Sequence, residues 1–294
     1  MLLLVAHFVG NAAFTLLVRH ARSSRFDYAM VGTTNYVTGA VMGIAVFAMV
    51  GSGLPGWVAV VAGAVNGAQY QLTFLLMHAL IGIGGISVAT SVLRLAAAVP
   101  VFASMVVWHE PVSLTQGVGL ALAAIALPLL AGVNPALRAR EDAGARPGPV
   151  RIAVTVVTTL LVTGAGLLGA KVFAEVGVPE DRSAYVATAY LTASAFSVVT
   201  WRWQPRGGAG STGIRARSLG LGIVTGLVNF GQLSAFLPAL STVPGVIAFP
   251  VAAAGGLLCT VVGSWAFFRE RPTIRHASGI ALALAAAALI NVRK

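Results

Sequence analysis

The sequence is short of charge, of acid and of sulfur. Only 9% of its 294 residues are charged, against 57% that are hydrophobic. A soluble domain carries about 25% charged residues. So little charge cannot cover a water-facing surface, so the chain reads as an integral membrane protein. The eight acids are Asp27, Glu110, Glu141, Asp142, Glu175, Glu180, Asp181 and Glu270, and all lie in connections or at the ends of apolar runs. An exporter that trades protons against organic cations needs a carboxylate inside the membrane. Its lack argues against that class and against a carboxylate-ligated metal transporter. The single cysteine, Cys259, excludes an intramolecular disulfide and a cysteine-based metal site. It reads as a small apolar residue. His-Glu-x-x-His, Gly-x-Ser-x-Gly and the phosphate-binding Gly-Lys-Ser/Thr loop are absent. The chain is therefore not read as an enzyme, and no cofactor, metal or ATP site is expected.

What is present is apolar length and positive charge. The net charge of +11 comes from basic residues in short loops between apolar runs. A nucleic-acid-binding module would gather them on one face instead, so the expected partners are anionic lipid head groups. The opening "LLLVAHFVG" follows Met1 without a basic region or a small-residue cleavage site, and it reads as a first span rather than a removable signal peptide. A span needs roughly 20 apolar residues. Cutting at charges and at Pro/Gly clusters gives ten spans, about 1–18, 28–50, 57–80, 85–108, 116–133, 151–173, 184–203, 218–240, 245–268 and 276–292. "GSGLPG" and "IGIG" read as uncharged connections before and after the third span, and residues 134–150 form the longest linker.

That linker divides a repeat. Asn66-x-x-Gln69 returns as Asn229-x-x-Gln232, Tyr36-x-Thr38 as Tyr190-x-Thr192, and "HEPVSLTQGVG" as "RERPTIRHASG". The offsets are 163, 154 and 160. The predicted fold is all-α, with ten transmembrane helices in two five-helix repeats over residues 1–133 and 151–294. Five spans is an odd number, so the second copy enters from the opposite side. Inverted repeats of this kind build many transporters, with the site at the repeat interface.

Two five-span halves, each closing in "VPVFASMVVWHEPVSLTQGVGLALAAIALPLL" and "SWAFFRERPTIRHASGIALALAAAALINV", resemble the EamA-like branch of the drug/metabolite transporter superfamily. The resemblance covers essentially the whole chain. It implies a central cavity lined by spans one to four and six to nine, with spans five and ten peripheral. It also implies amino acids and related metabolites as substrates, and both termini in the cytoplasm. The charge count points the other way. The connections after spans one, five, seven and nine carry fourteen Lys and Arg residues, against Lys171, Arg182, Arg293 and Lys294 on the opposite side. The positive-inside rule then puts the termini outside.

Arg94, inside "TSVLRLAAAVP", is the one cation within an apolar run that has no acid nearby. An intramembrane charge costs about 2.5–3.5 kcal/mol on insertion scales. Ser87, Thr90, Ser91 and Arg94 share one helical stripe, three alanines follow, and Pro100 is expected to bend the helix. An arginine can pair bidentately with a carboxylate or phosphate, so Arg94 is a candidate anion anchor, with a structural role bonded to neighbouring carbonyls as the alternative. His7, Asn11 and Thr15 recur at helical spacing in span one. Asn66, Gln69, Tyr70 and Thr73 share a face of span three, and Thr225, Asn229 and Gln232 do so in span eight. The matched Asn-x-x-Gln pairs are expected on opposite walls of one cavity, and interhelical hydrogen bonding is the alternative for each residue. His7 can carry a proton near neutral pH. Lys171 reads as an interface anchor. Glu110 and Glu270 read as turn determinants beside the N-caps Ser113 and Thr273.

The sequence thus points to a secondary transporter of a small carboxylate-bearing metabolite, in a bilayer with anionic lipids. Composition and short loops suggest a bacterial cytoplasmic membrane, and homodimerisation is left open. The alternatives are an organophosphate or nucleotide-sugar antiporter and, from another class, a non-transporting scaffold or an intramembrane enzyme.

Overall fold

The computed structural model describes residues 1–24, 26–50, 53–130, 149–203 and 212–268, with scattered positions between 274 and 289. Among them there is no strand. The helices are α1 (Leu2–Ser23), α2 (Tyr28–Val50), α3 (Trp57–Leu95), α4 (Ala98–Val106), α5 (Leu114–Leu130), α6 (Pro149–Val176), α7 (Arg182–Trp203), α8 (Thr212–Leu240) and α9 (Gly245–Phe268), with a 3-10 turn at Pro179–Asp181. Stretches of α1, α2, α6, α8 and α9 are each long and apolar enough to cross a membrane, and Leu114–Ala126 is a shorter apolar segment. Helix is the form such runs must take in lipid, where every backbone N–H and C=O has to be satisfied within the segment. The expected Thr273 cap and Glu270 turn, and most of the tenth span, lie outside the described residues.

The connection expected at "IGIG" is helical. The chain stays in α3 through Leu95 and leaves it only at Ala96 and Ala97. Glycine costs a helix about 1 kcal/mol, which an apolar solvent overrides because opening the helix would strand its backbone groups. Proline removes the hydrogen bond itself and clashes with the carbonyl four residues earlier. Pro100 places that clash at Ala96, where the ladder gives way to a tighter bond from Val99 N to Ala96 O of 3.1 Å.

The helices gather into two compact units, and each takes segments from both sides of the 134–150 linker. Unit 1 comprises Met1–Gln71 and Gly169–Thr242; unit 2 comprises Leu72–Leu168 and Val243–Lys294.

In unit 1 two close helix contacts are copies of one another. On α3, a Cβ at Gly63 would fall 2.6 Å from Tyr185 O and 3.1 Å from Thr188 Cβ of α7. One at Gly67 would fall 2.1 Å from Ala189 O and 2.8 Å from Thr192 Cβ. On α8, one at Gly222 would fall 3.0 Å from Val31 O and 2.5 Å from Thr34 Cβ of α2. One at Gly226 would fall 2.6 Å from both Asn35 O and Thr38 Cβ. Each pair is a Gly-x-x-x-Gly face, which lets backbones touch where lipid gives no hydrophobic drive to associate. The α2 and α7 partners correspond at the 154-residue offset of Tyr36 and Tyr190. The α3 and α8 glycines correspond at 159, one helical turn from the 163 of the Asn-x-x-Gln motifs. By contact, Asn66 therefore answers to Thr225, and Asn229 to Tyr70. The helix starts repeat the pattern. Asp27 accepts from Met30 N at 3.0 Å, capping α2, and its own N–H donates to Ser218 Oγ at the head of α8. Asp181, at the head of α7, accepts from Gly56 N just before α3 at 2.9 Å.

In unit 2, α9 packs against α4 and α5. The chain leaves α4 through His109, whose φ of 52° lies in the left-handed region. The next residue, Glu110, turns its carboxylate onto the start of α9, accepting from Gly245 N at 3.0 Å and Val246 N at 2.9 Å. Charge-assisted bonds to the unsatisfied N–H groups of a helix start contribute about 1.5–3 kcal/mol. Glu110 is thus a helix-start determinant, acting on a helix far away in sequence. Ser113 caps α5 as expected, in a reciprocal box with Gln116: Gln116 N donates to Ser113 Oγ at 3.2 Å, and Ser113 N to Gln116 Oε1 at 3.0 Å.

Candidate functional site

Unit 1 contains His7, Asn11, Asn66, Gln69, Tyr70, Asn229 and Gln232. Arg94 belongs to α3, in unit 2, and its side chain lies outside the described residues, as do those of Ser87, Thr90 and Ser91.

The best-defined polar cluster is where α1 and α2 meet α8. Asn229 and Gln232 lie three apart on α8, so they share a face. Gln232 Nε2 donates to Asn229 Oδ1 at 2.7 Å, and Asn229 Nδ2 donates to Asn35 Oδ1 of α2 at 3.2 Å. All three side chains are buried. From α1, His7 Nδ1 bonds the backbone carbonyl of Gln232 at 2.9 Å, and the His7 ring stacks on Phe236 with centroids 4.1 Å apart. A carbonyl only accepts, so this nitrogen carries the proton and the tautomer is fixed. Gly10, on the same helix, lets Gln232 close in: a Cβ there would stand 3.0 Å from Gln232 Cβ. Asn11 is the next residue. Its Oδ1 and Gln232 Oε1 are both buried and neither has a hydrogen-bond partner.

Three of the residues that helical spacing singled out, His7, Asn229 and Gln232, meet in this cluster. The sequence reading missed Asn35, which stands in "TTNYVT" and whose partner, Asn229, lies on another helix. Thr225 is buried, and its hydroxyl bonds Leu221 O of its own helix at 2.7 Å. Thr15 likewise bonds Asn11 O at 2.8 Å.

The α3 residues stand in a second, aromatic cluster. Asn66 and Gln69 are buried, and Tyr36 OH donates to the Tyr70 carbonyl at 3.2 Å. Tyr36 and Tyr70 stack at 6.3 Å, Tyr190 leans on Tyr70 at 6.0 Å, and Phe230 of α8 follows at 6.2 Å. Gly39 makes room for the Tyr190 ring, which a Cβ would meet at 2.3 Å. Thr73 belongs to unit 2, with its hydroxyl 3.1 Å from that of Thr163 on α6.

Lys171 departs from its expected place at the interface. It is only 1% exposed, and its ammonium pairs with Glu175 one turn along α6. The spacing of i and i+4 lets a carboxylate at the helix end neutralise a lysine that burial would otherwise penalise. Among the described residues no cluster of three His, Cys, Asp or Glu could hold a metal ion.

The fold and the site define an all-α chain with several membrane-crossing helices and a buried amide network. No family model matches the chain. No curated protein matches it either. One solved structure, described only as "Crystal structure of protein", is similar over 98% of both chains, with a TM-score of 0.67 and 17% sequence identity. At that identity the likeness concerns the fold alone.

Proposed function

We propose that the chain is a secondary transporter that moves a small polar metabolite, an amino acid or a related carboxylate-bearing compound, by alternating access. In this reading it has ten transmembrane helices in two inverted five-helix repeats, as in the EamA-like transporters it resembles, and it sits in a bacterial cytoplasmic membrane. The observation that carries the reading is the cluster of half-buried His7 with buried Asn35, Asn229 and Gln232, set among apolar helices, with acceptor oxygens left open on Gln232 and on Asn11 of α1. Polar groups within membrane helices are costly and mark substrate paths. The mirrored α3–α7 and α8–α2 contacts support the inverted repeat. Arg94 is retained as the candidate anchor for the substrate's carboxylate. The organophosphate alternative called for a second free cation, and Lys171 has its charge met by Glu175.

The test is flux of radiolabelled amino acids into proteoliposomes. Uptake that saturates, and that exchanges with internal substrate, is expected for the wild type. Arg94→Ala is expected to cut it at least tenfold for carboxylate-bearing compounds. Absence of flux for every metabolite tried would favour a scaffold.

A further inference from the structure

Within unit 1, the α1–α8 contact carries two unpartnered acceptor oxygens. Gln232 has spent its Nε2 on Asn229 and its backbone carbonyl on His7. Its Oε1 is buried without a partner, on a residue 9% exposed. Gly10 brings α1 against that residue's Cβ, and the adjacent Asn11 adds a second buried oxygen, Oδ1, with no partner. Both open atoms are amide carbonyl oxygens, so both only accept. A buried acceptor without a donor costs about 1–3 kcal/mol, and the bilayer core offers no water to relieve it. Two of them on facing helices are a standing demand for N–H or O–H.

We propose that Asn11 Oδ1 and Gln232 Oε1 form a subsite for the primary ammonium group of a zwitterionic substrate; this rests on the transport reading above. An ammonium offers three hydrogens from one atom and can serve both oxygens at once. No carboxylate among the described residues belongs to this cluster, and neither α1 nor α8 contains an acid. A lone cation would then enter an apolar interior uncompensated, at high cost. A substrate that brings its own carboxylate escapes that cost. The subsite reads hydrogens rather than charge, and it discriminates against an amine whose hydrogens have been replaced by methyl groups.

The experiment uses the full-length protein purified in detergent, with binding read as a shift of the thermal unfolding midpoint. The probes are leucine, its N,N,N-trimethyl derivative, and 2-hydroxyisocaproate, in which a hydroxyl replaces the amine. Leucine is expected to stabilise the wild type, and the trimethyl derivative to bind at least tenfold more weakly. The hydroxy acid, with one hydrogen to donate, is expected between them. Asn11→Leu is expected to lower leucine affinity about tenfold or more. Asn11→Asp keeps the shape and adds charge at the open oxygen, so it is expected to restore or raise leucine affinity above that of Asn11→Leu. Equal binding of leucine and its trimethyl derivative overturns the subsite, and so does unchanged affinity in both variants. Failure to bind leucine at all overturns it for this substrate class. Flux in proteoliposomes separates the two readings: flux without amine discrimination removes the subsite and keeps the transporter, whereas discriminating binding without flux does the reverse.

Discussion

At the scale of single residues, the three-amide chain from Gln232 through Asn229 to Asn35 couples two helices through their side chains. Asn229 is its middle link, both accepting and donating. Asn229→Leu strands the Gln232 amide and the Asn35 carbonyl together, and it is expected to destabilise the protein by about 1–3 kcal/mol, read from thermal unfolding in detergent. Thr225→Val is the contrast. Its hydroxyl only back-bonds its own helix, so the loss should stay under about 1 kcal/mol. Helical spacing made His7 with Asn11, and Asn229 with Gln232, legible before any coordinates, because residues four or three apart must share a face. Asn35 was illegible for the same reason: its partner is on another helix. So was the burial of Lys171, because nothing in the spacing says whether a lysine near a helix end reaches for water or for the glutamate one turn on.

At the scale of helices, steric fit decides more than sequence matching does. The aligned Asn-x-x-Gln motifs suggested one register between α3 and α8, and the glycine contacts set another, one turn away. Backbone approach is the stricter criterion. A methyl at Gly67 would sit 2.1 Å from a carbonyl of α7 and force the helices apart, whereas one at Gly231 of α8 meets nothing within 4 Å. Gly67→Ala is therefore expected to cost about 1–3 kcal/mol. Gly231→Ala should be neutral or gain up to about 1 kcal/mol from helix propensity. The two melting curves, measured side by side, check both. The boundaries of α2 and α9 were legible because charge or proline bounds them. The break between α3 and α4 was misread, because glycine punctuates chains in water and loses that effect in hydrocarbon.

At the scale of the whole molecule, the composition fixed the solvent of the protein without ambiguity: 57% hydrophobic against 9% charged residues leaves only lipid. Orientation is the open consequence. In the proposed ten-span topology, fourteen basic residues fall in connections on one side, including those of the 134–150 linker. That side is expected to face the cytoplasm. A cysteine introduced in the linker, with Cys259 replaced by alanine, should resist a membrane-impermeant maleimide in intact cells and react once the cells are opened. Labelling in intact cells would mean that the insertion order of the repeats overrides the charge.

The glycine faces of α3 and α8 also carry a message about time. Gly67 is made long before Thr192, the residue it closes upon, and α2 waits longer still for Gly226. At about 5–20 residues per second, the first helices spend several seconds in the bilayer with bare, close-fitting grooves and no mate. Half a chain cannot complete either unit. A ribosome stalled in the linker would leave those grooves open to whatever helix drifts by, which makes this protein's youth, rather than its finished state, its period of greatest exposure to wrong partners.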